Sequence, residues 1–372
     1  MTNPISNRIF GLDLMRAIAI LTVVYAHGHS LIAHKYPELN RINIEGVTIF
    51  FVLSGYLIGR ILIRDSQMNG CNTKTLLNFW KRRWLRTLPA YFLVLTSLIL
   101  LTRALEQIWP AEAYLYFIFS QNIASSHPAF FGEAWSLAVE EWFYLTVPLI
   151  LFFIVRSTNT SIKRATLTVI LLVILGSTAV RIFRISMLDV QSIVEWDSTL
   201  RKVVITRLDS LMFGVIGAYL SIFAELKWKK WKKPTFLVGV FLLLIDQALQ
   251  SNPFWRGYIT LTLTPFAALC LLPFLSSWKT CPHPWFRIIP FISLISYSLY
   301  LVHLSLVKNI FLNIYIESVP AFFSTTLAIY IFYWTVSIVV AYLIWRYIEK
   351  PFLMLRERGY KIKILQTKYG DR

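Results

Sequence analysis

Ten stretches of this chain approach or exceed the length of about 20 residues that a helix needs to cross a bilayer, and each carries few charges. They fall at roughly 9–29, 45–63, 88–105, 136–155, 165–185, 203–223, 234–250, 257–276, 290–312 and 319–345. Backbone polar groups in lipid must be satisfied within the segment, so this succession predicts an all-α, polytopic bundle of about ten transmembrane helices. Composition agrees: 56% of residues are hydrophobic and 15% charged, against about a quarter charged in a soluble domain. The first stretch contains Asp13 and Arg16 and lacks a small-residue cleavage site, so it reads as a retained helix.

The formal net charge is +18. The cations gather at the ends of apolar stretches, which points to topology and away from nucleic acid. With the N-terminus and Arg8 in the cytoplasm, alternate loops collect 26 of the 37 Lys and Arg residues on that side. They include Lys81, Arg82, Arg83, Arg86, the lysine run 227–233, Lys279, Arg287 and the tail from Arg346. Segment 107–125 is short and interrupted by Pro110 and Glu112, and counting it as a span would put the lysine run outside. It therefore reads as an interfacial or re-entrant piece, and both termini as cytoplasmic. Residues 1–352 form one membrane domain and 353–372 a short basic tail. The outer loops, 30–44 and 186–202, leave no room for an extra catalytic domain. Cys71, Cys270 and Cys281 have no metal-type or paired spacing, so neither a metal site nor a disulfide is expected.

Several ionisable residues nevertheless enter the apolar stretches, where each costs at least a few kcal/mol unless it faces a polar interior. In GLDLMRAIAILTVVYAHGHS, Arg16 and His27 are eleven residues apart, three helical turns plus about 20°, so they share a face about 16 Å apart along the axis. A plainer account pairs Arg16 with Asp13 and leaves His27 at the interface. In FWKRRWLRTLPAYF, residues 79–92, Lys81, Arg82, Arg83 and Arg86 cluster, interleaved with Trp80 and Trp84. Guanidinium forks suit phosphate oxygens, although positive-inside anchoring also produces such clusters. FFGEAWSLAVEEWFYLTVP, residues 130–148, places Glu133, Ser136, Glu140 and Glu141 near the outer entrance of the fourth span. Glu140 would then lie near the depth of His27, and a carboxylate beside imidazole fixes its tautomer for general-base work. Interfacial water could equally solvate these glutamates. Arg207 and Asp209 in TRLDSLMFG, and Ser296, Tyr297, Tyr300 and His303 in SYSLYLVH, complete the set, with helix–helix hydrogen bonding as their plainer role.

In this order and spacing the motifs resemble the acyltransferase 3 family of integral membrane acyltransferases, often O-acetyltransferases of bacterial cell-surface polysaccharide. The similarity runs from about Arg8 to Phe352, through GLDLMRAIAILTVVYAH, FFVLSGYLI, RRWLRTLPAY, EAWSLAVEEWFY, RLDSLMFG, SYSLYLVH and EKPF. The resemblance implies an Arg and a His separated by ten residues, met by Arg16 and His27, and an Arg-x-x-Arg element, met by Arg83 and Arg86. It also implies an acidic residue in the Trp-Ser-Leu segment, met by Glu140 with Glu133 at its start. His29 beside His27 is a minor departure. Some members carry an esterase-like domain, none of which is expected in these 372 residues, so a separate periplasmic partner is left open, as is a homo-oligomer.

The expected reaction moves an acyl group, in this family most often acetyl, from cytoplasmic acetyl-CoA to a hydroxyl of a glycan such as O-antigen, lipopolysaccharide or exopolysaccharide, at the bacterial inner membrane. Arg82, Arg83 and Arg86 would hold the donor's phosphates at the inner mouth and Arg16 would flank its arm. His27, oriented by Glu140, would act as base. Arg207 or Tyr300 would stabilise the oxyanion, and an acyl-enzyme on His27 or Ser136 is the other route. Asp209, Glu133 and His303 are candidates for substrate contact. A transporter of a lipid-linked saccharide is the competing class, but no internal repeat with interrupted helices supports it.

Overall fold

The computed structural model describes residues 8–38, 45–188, 192–320 and 325–356. Residues 39–44 and 189–191 of the expected loops and 357–372 of the expected tail lie outside these. The described chain is helical without strands. The helices are α1 Phe10–Gly28, α2 Gly46–Asn69, α3 Thr73–Glu106, the short α4 Ala113–Phe117, α5 Ala134–Thr158, α6 Ile162–Met187 and the short α7 Ile193–Trp196. There follow α8 Leu208–Phe223, the short α9 Glu225–Lys230, α10 Lys232–Leu249, α11 Leu261–Ser277, α12 Ile288–Val302, α13 Leu312–Ser318 and α14 Thr326–Ile344.

Among the described residues, eight helices are long and apolar enough to cross a membrane. Two others occupy expected spans: α8 is apolar but has only 16 residues, and α10 carries Lys232, Lys233 and Asp246 within its 18. Helix α3 starts far earlier than the span read at 88–105, because Asn72 caps it by accepting from the Thr75 amide at 3.0 Å. The arginine cluster is thereby carried on a continuous helix that Pro89 does not interrupt. Segment 107–125 forms no span. Gln107, Glu112 and Phe119 adopt positive φ, and only α4 is regular. It docks instead through Tyr91 donating to Tyr116 O at 2.8 Å and Trp142 to Phe119 O at 2.9 Å.

Helix α1 packs against α2, α11 and α12, and α2 lies along α8. Gly55 of α2 and Gly214 of α8 set that last approach: a Cβ on Gly55 would strike Leu211 O, and one on Gly214 would strike Val52 O. Small residues at such crossings let backbones touch, which gains dispersion where lipid removes most of the hydrophobic drive. Two of the sequence motifs, FFVLSGYLI and RLDSLMFG, are thus the two sides of one helix crossing. Beyond Val302, α12 continues through a π-helical stretch, His303–Phe311, into α13. Such wider winding often marks functional positions, because it redirects side chains and backbone carbonyls.

Candidate active site

The two ends of the bundle differ. At one, Phe10 and Gly11 amides donate to Lys279 O and Trp278 O at 3.2 and 2.9 Å, bringing the start of α1 to a basic loop. Here Arg8 and Arg16 converge on Asp13, at 2.5 and 3.5 Å, and Ser293 Oγ also donates to that carboxylate at 2.8 Å. The Arg16–Asp13 pairing anticipated as the plainer account is present. It leaves most of the Arg16 fork free to face a cavity.

That cavity, of about 110 Å³, is lined by Arg16, Arg83 and Arg86 toward the basic end and by Glu140, Ser136 and Tyr300 further in. Arg83 stacks on the Tyr144 ring, 4.1 Å from its centroid, and its buried Nε has no hydrogen-bond partner among the described residues. Arg82 diverges from the other two: it leaves the cavity and approaches Asp65 at 3.5 Å. Spacing alone grouped all three, but α3 turns about 100° per residue, so neighbours 82 and 83 look in different directions.

Glu140 accepts from Ser54 Oγ and Tyr144 Oη, both at 2.9 Å. It makes no hydrogen bond to His27, which corrects the carboxylate–imidazole pairing expected from their matched depth. Depth fixes one coordinate only, and α5 presents Glu140 to α2. Glu133 is buried and accepts from the Ser305 amide at 3.1 Å and from Ser305 Oγ at 2.5 Å. Ser136 donates to Tyr300 Oη at 2.7 Å, which donates to Glu133 O at 3.0 Å.

His27 lies beyond Tyr300. The Tyr300 and His303 ring centroids are 5.8 Å apart and those of His303 and His27 5.0 Å. His303 Nε2 is 3.0 Å from His27 Nδ1. Lys308 Nζ, from the π-helical stretch, donates to His27 O at 2.6 Å. The cavity lining stops at Tyr300 and does not include His27. Arg207 is buried away from the cavity, where Nη2 donates to Thr48 at 2.7 Å while Nε and Nη1 have no partner among the described residues. Asp209 pairs with Arg181 at 2.9 Å.

Sequence reasoning missed Thr87, Tyr144, Arg181 and Lys308. Thr87 lines the cavity and donates to Glu141 at 2.9 Å. Arg181 and Lys308, charges in the apolar stretches 165–185 and 290–312, carried a readable signal. Asp246 was passed over in the same way; it accepts from Trp255, Thr260 and Thr264 at 2.7–2.9 Å.

A helical membrane bundle with arginines leading from one end toward a part-buried pair of histidines matches a known class: the profile described as "Acyltransferase domain" matches residues 9–346, and the chain belongs to that family. Among curated proteins it is similar to O-acetyltransferase OatA of Staphylococcus aureus (strain NCTC 8325 / PS 47), 26% identical over 94% of this chain and 58% of that protein. It is likewise similar to a putative O-acetyltransferase of S. aureus strain MRSA252, 27% identical over 96% of this chain and 59% of that protein. The chain thus spans less than two thirds of these relatives. No solved structure matches it.

Proposed function

We propose that this protein is a membrane-bound O-acyltransferase that moves an acetyl group from cytoplasmic acetyl-CoA to a hydroxyl of a cell-surface glycan. The observation that carries this is one continuous lining that joins Arg83 and Arg86 to Arg16, Glu140, Ser136 and Tyr300. Ten spans with both termini cytoplasmic put the basic end at the inner mouth of the inner membrane, where the anionic donor is made. Residues 1–352 are the catalytic domain and 353–372 a basic tail. Arg83 and Arg86 take the donor's phosphates, Arg16 flanks its arm, and the thioester advances toward Tyr300. The acceptor hydroxyl attacks the thioester carbonyl while His27 removes its proton; the C–O bond forms, the C–S bond breaks, and the thiolate recovers the proton.

Direct transfer is favoured over an acyl-enzyme on Ser136, because Ser136 Oγ donates to Tyr300 Oη and no imidazole stands within hydrogen-bond reach of it. Tyr300 Oη is the nearer oxyanion donor, once its one proton turns from Glu133 O toward the substrate, since Arg207 does not line the cavity. The test is purified protein with labelled acetyl-CoA and envelope glycan from a strain lacking it. His27→Ala should lose at least a hundredfold in transfer, roughly the contribution of a general base, with its thermal midpoint retained. Full transfer by that variant overturns the mechanism.

A further inference from the structure

We infer that His303 is the positioning residue that fixes the tautomer of His27, leaving Nε2 of His27 as the basic nitrogen. This rests on the functional reading above and assigns to an imidazole the role that sequence gave to a carboxylate. The argument is one of donors and acceptors. His303 Nδ1 lies 2.9 Å from Tyr300 O and 3.2 Å from Leu299 O. Carbonyl oxygens only accept, so Nδ1 of His303 bears a proton. In neutral His303 the other nitrogen, Nε2, is then an acceptor. His27 Nδ1 sits 3.0 Å from that Nε2 and 3.0 Å from Val23 O, so it faces two acceptors and must carry the proton it shares between them. Nε2 of His27 is left with its lone pair and forms no hydrogen bond with any described residue.

The alternatives fail on the same contacts. A proton on Nε2 of neutral His303 would aim the bare Nδ1 at two carbonyls and leave His27 Nδ1 bare against a third. Doubly protonated His303 would still set a bare His27 Nδ1 against Val23 O. It would also bury a cation that no carboxylate touches, with Lys308 Nζ already on His27 O. Of the states in which His27 can still accept a proton, only this neutral relay satisfies every contact.

The chemistry follows. When the acceptor O–H gives its proton to His27 Nε2, the imidazolium keeps its Nδ1–H on His303 Nε2 and Val23 O, and the departing thiolate takes the Nε2 proton back. The π-helical turn beginning at His303 is what brings this ring across to α1.

The experiment uses the full chain in detergent, with ¹⁵N-labelled histidine and His27 assigned through His27→Ala. The expected wild-type result is a single His27 tautomer, protonated at Nδ1. His303→Gln, whose amide oxygen reaches the place of Nε2, should keep that tautomer and hold kcat within about threefold. His303→Leu should give mixed tautomers and a kcat about tenfold or more lower with an unchanged KM for acetyl-CoA, in line with the cost of a misoriented catalytic histidine. A wild-type His27 protonated at Nε2 overturns the inference, and so does His303→Leu with kcat and tautomer unchanged. If His303→Leu does not fold, the wild-type tautomer and His303→Gln decide. Full transfer by His27→Ala would sink the reading of His27 as base, while the wild-type tautomer still decides the pair.

Discussion

Single side chains in this protein are sorted by helix rotation more than by charge. Lys81, Arg82, Arg83 and Arg86 form one cluster in sequence, yet only Arg83 and Arg86 line the cavity, while Arg82 approaches Asp65. Replacing Arg83 and Arg86 together by Ala should therefore raise KM for acetyl-CoA at least tenfold, since each charge-assisted bond is worth about 1.5–3 kcal/mol. Arg82→Ala should change it little. Equal losses from both, in steady-state kinetics, would return the cluster to a topology signal. Outside the spans, burial pushes the Asp197 carboxyl up, but Arg201 and Lys202 outweigh it and hold the group below its usual 3.8. Folding thus favours the ionised form. Its stabilisation is present above the unfolded-state value and is lost as pH falls through the lower folded one. The gap in thermal midpoint between wild type and Asp197→Asn should be constant near neutral pH and close below about pH 4. A gap that persists at lower pH would contradict this ion-pair account.

At the level of the element, buried charges act as joints between helices. Arg181 of α6 meets Asp209 of α8 with side chains 2% and 0% exposed, and also donates to Thr262 of α11 at 2.7 Å. Removing one partner strands the other charge, so Asp209→Leu should cost about 3–5 kcal/mol. Arg181→Met combined with Asp209→Leu should recover much of that cost, because the pair is replaced by apolar packing. Thermal unfolding in detergent measures both, and additive losses would rule the coupling out. Periodicity made the existence of these helices readable, and caps such as Asn72 explain where they start. The π-helical continuation of α12 was not readable, because the winding of a helix depends on what packs around it.

For the whole molecule, the proposed orientation rests on the distribution of cations, and the exposed Cys281 offers a test. It sits in the basic loop joined to the start of α1 through Phe10 and Lys279. In a Cys71→Ser, Cys270→Ser background, an impermeant maleimide should label Cys281 in inverted vesicles and spare it in intact spheroplasts. The opposite pattern would reverse the bundle and place the arginine-lined mouth away from the donor.

The sequence by itself pointed to lipid as the solvent, to an all-helical chain and to most of the chemically able residues, though Arg181, Asp246 and Lys308 were passed over. Apolar length and scarce charge are local properties that lipid enforces directly, and ionisable groups inside such stretches are few enough to count. Tertiary structure decided who meets whom. His27 meets His303 and not Glu140, Asp209 meets Arg181, and Arg207 turns away from the cavity. Spacing along a helix gives depth and rotation within that helix, whereas the partner across the bundle depends on how neighbouring helices cross and wind. Here that is set by backbone contacts such as Gly55 against Gly214 and by the π-turn at His303.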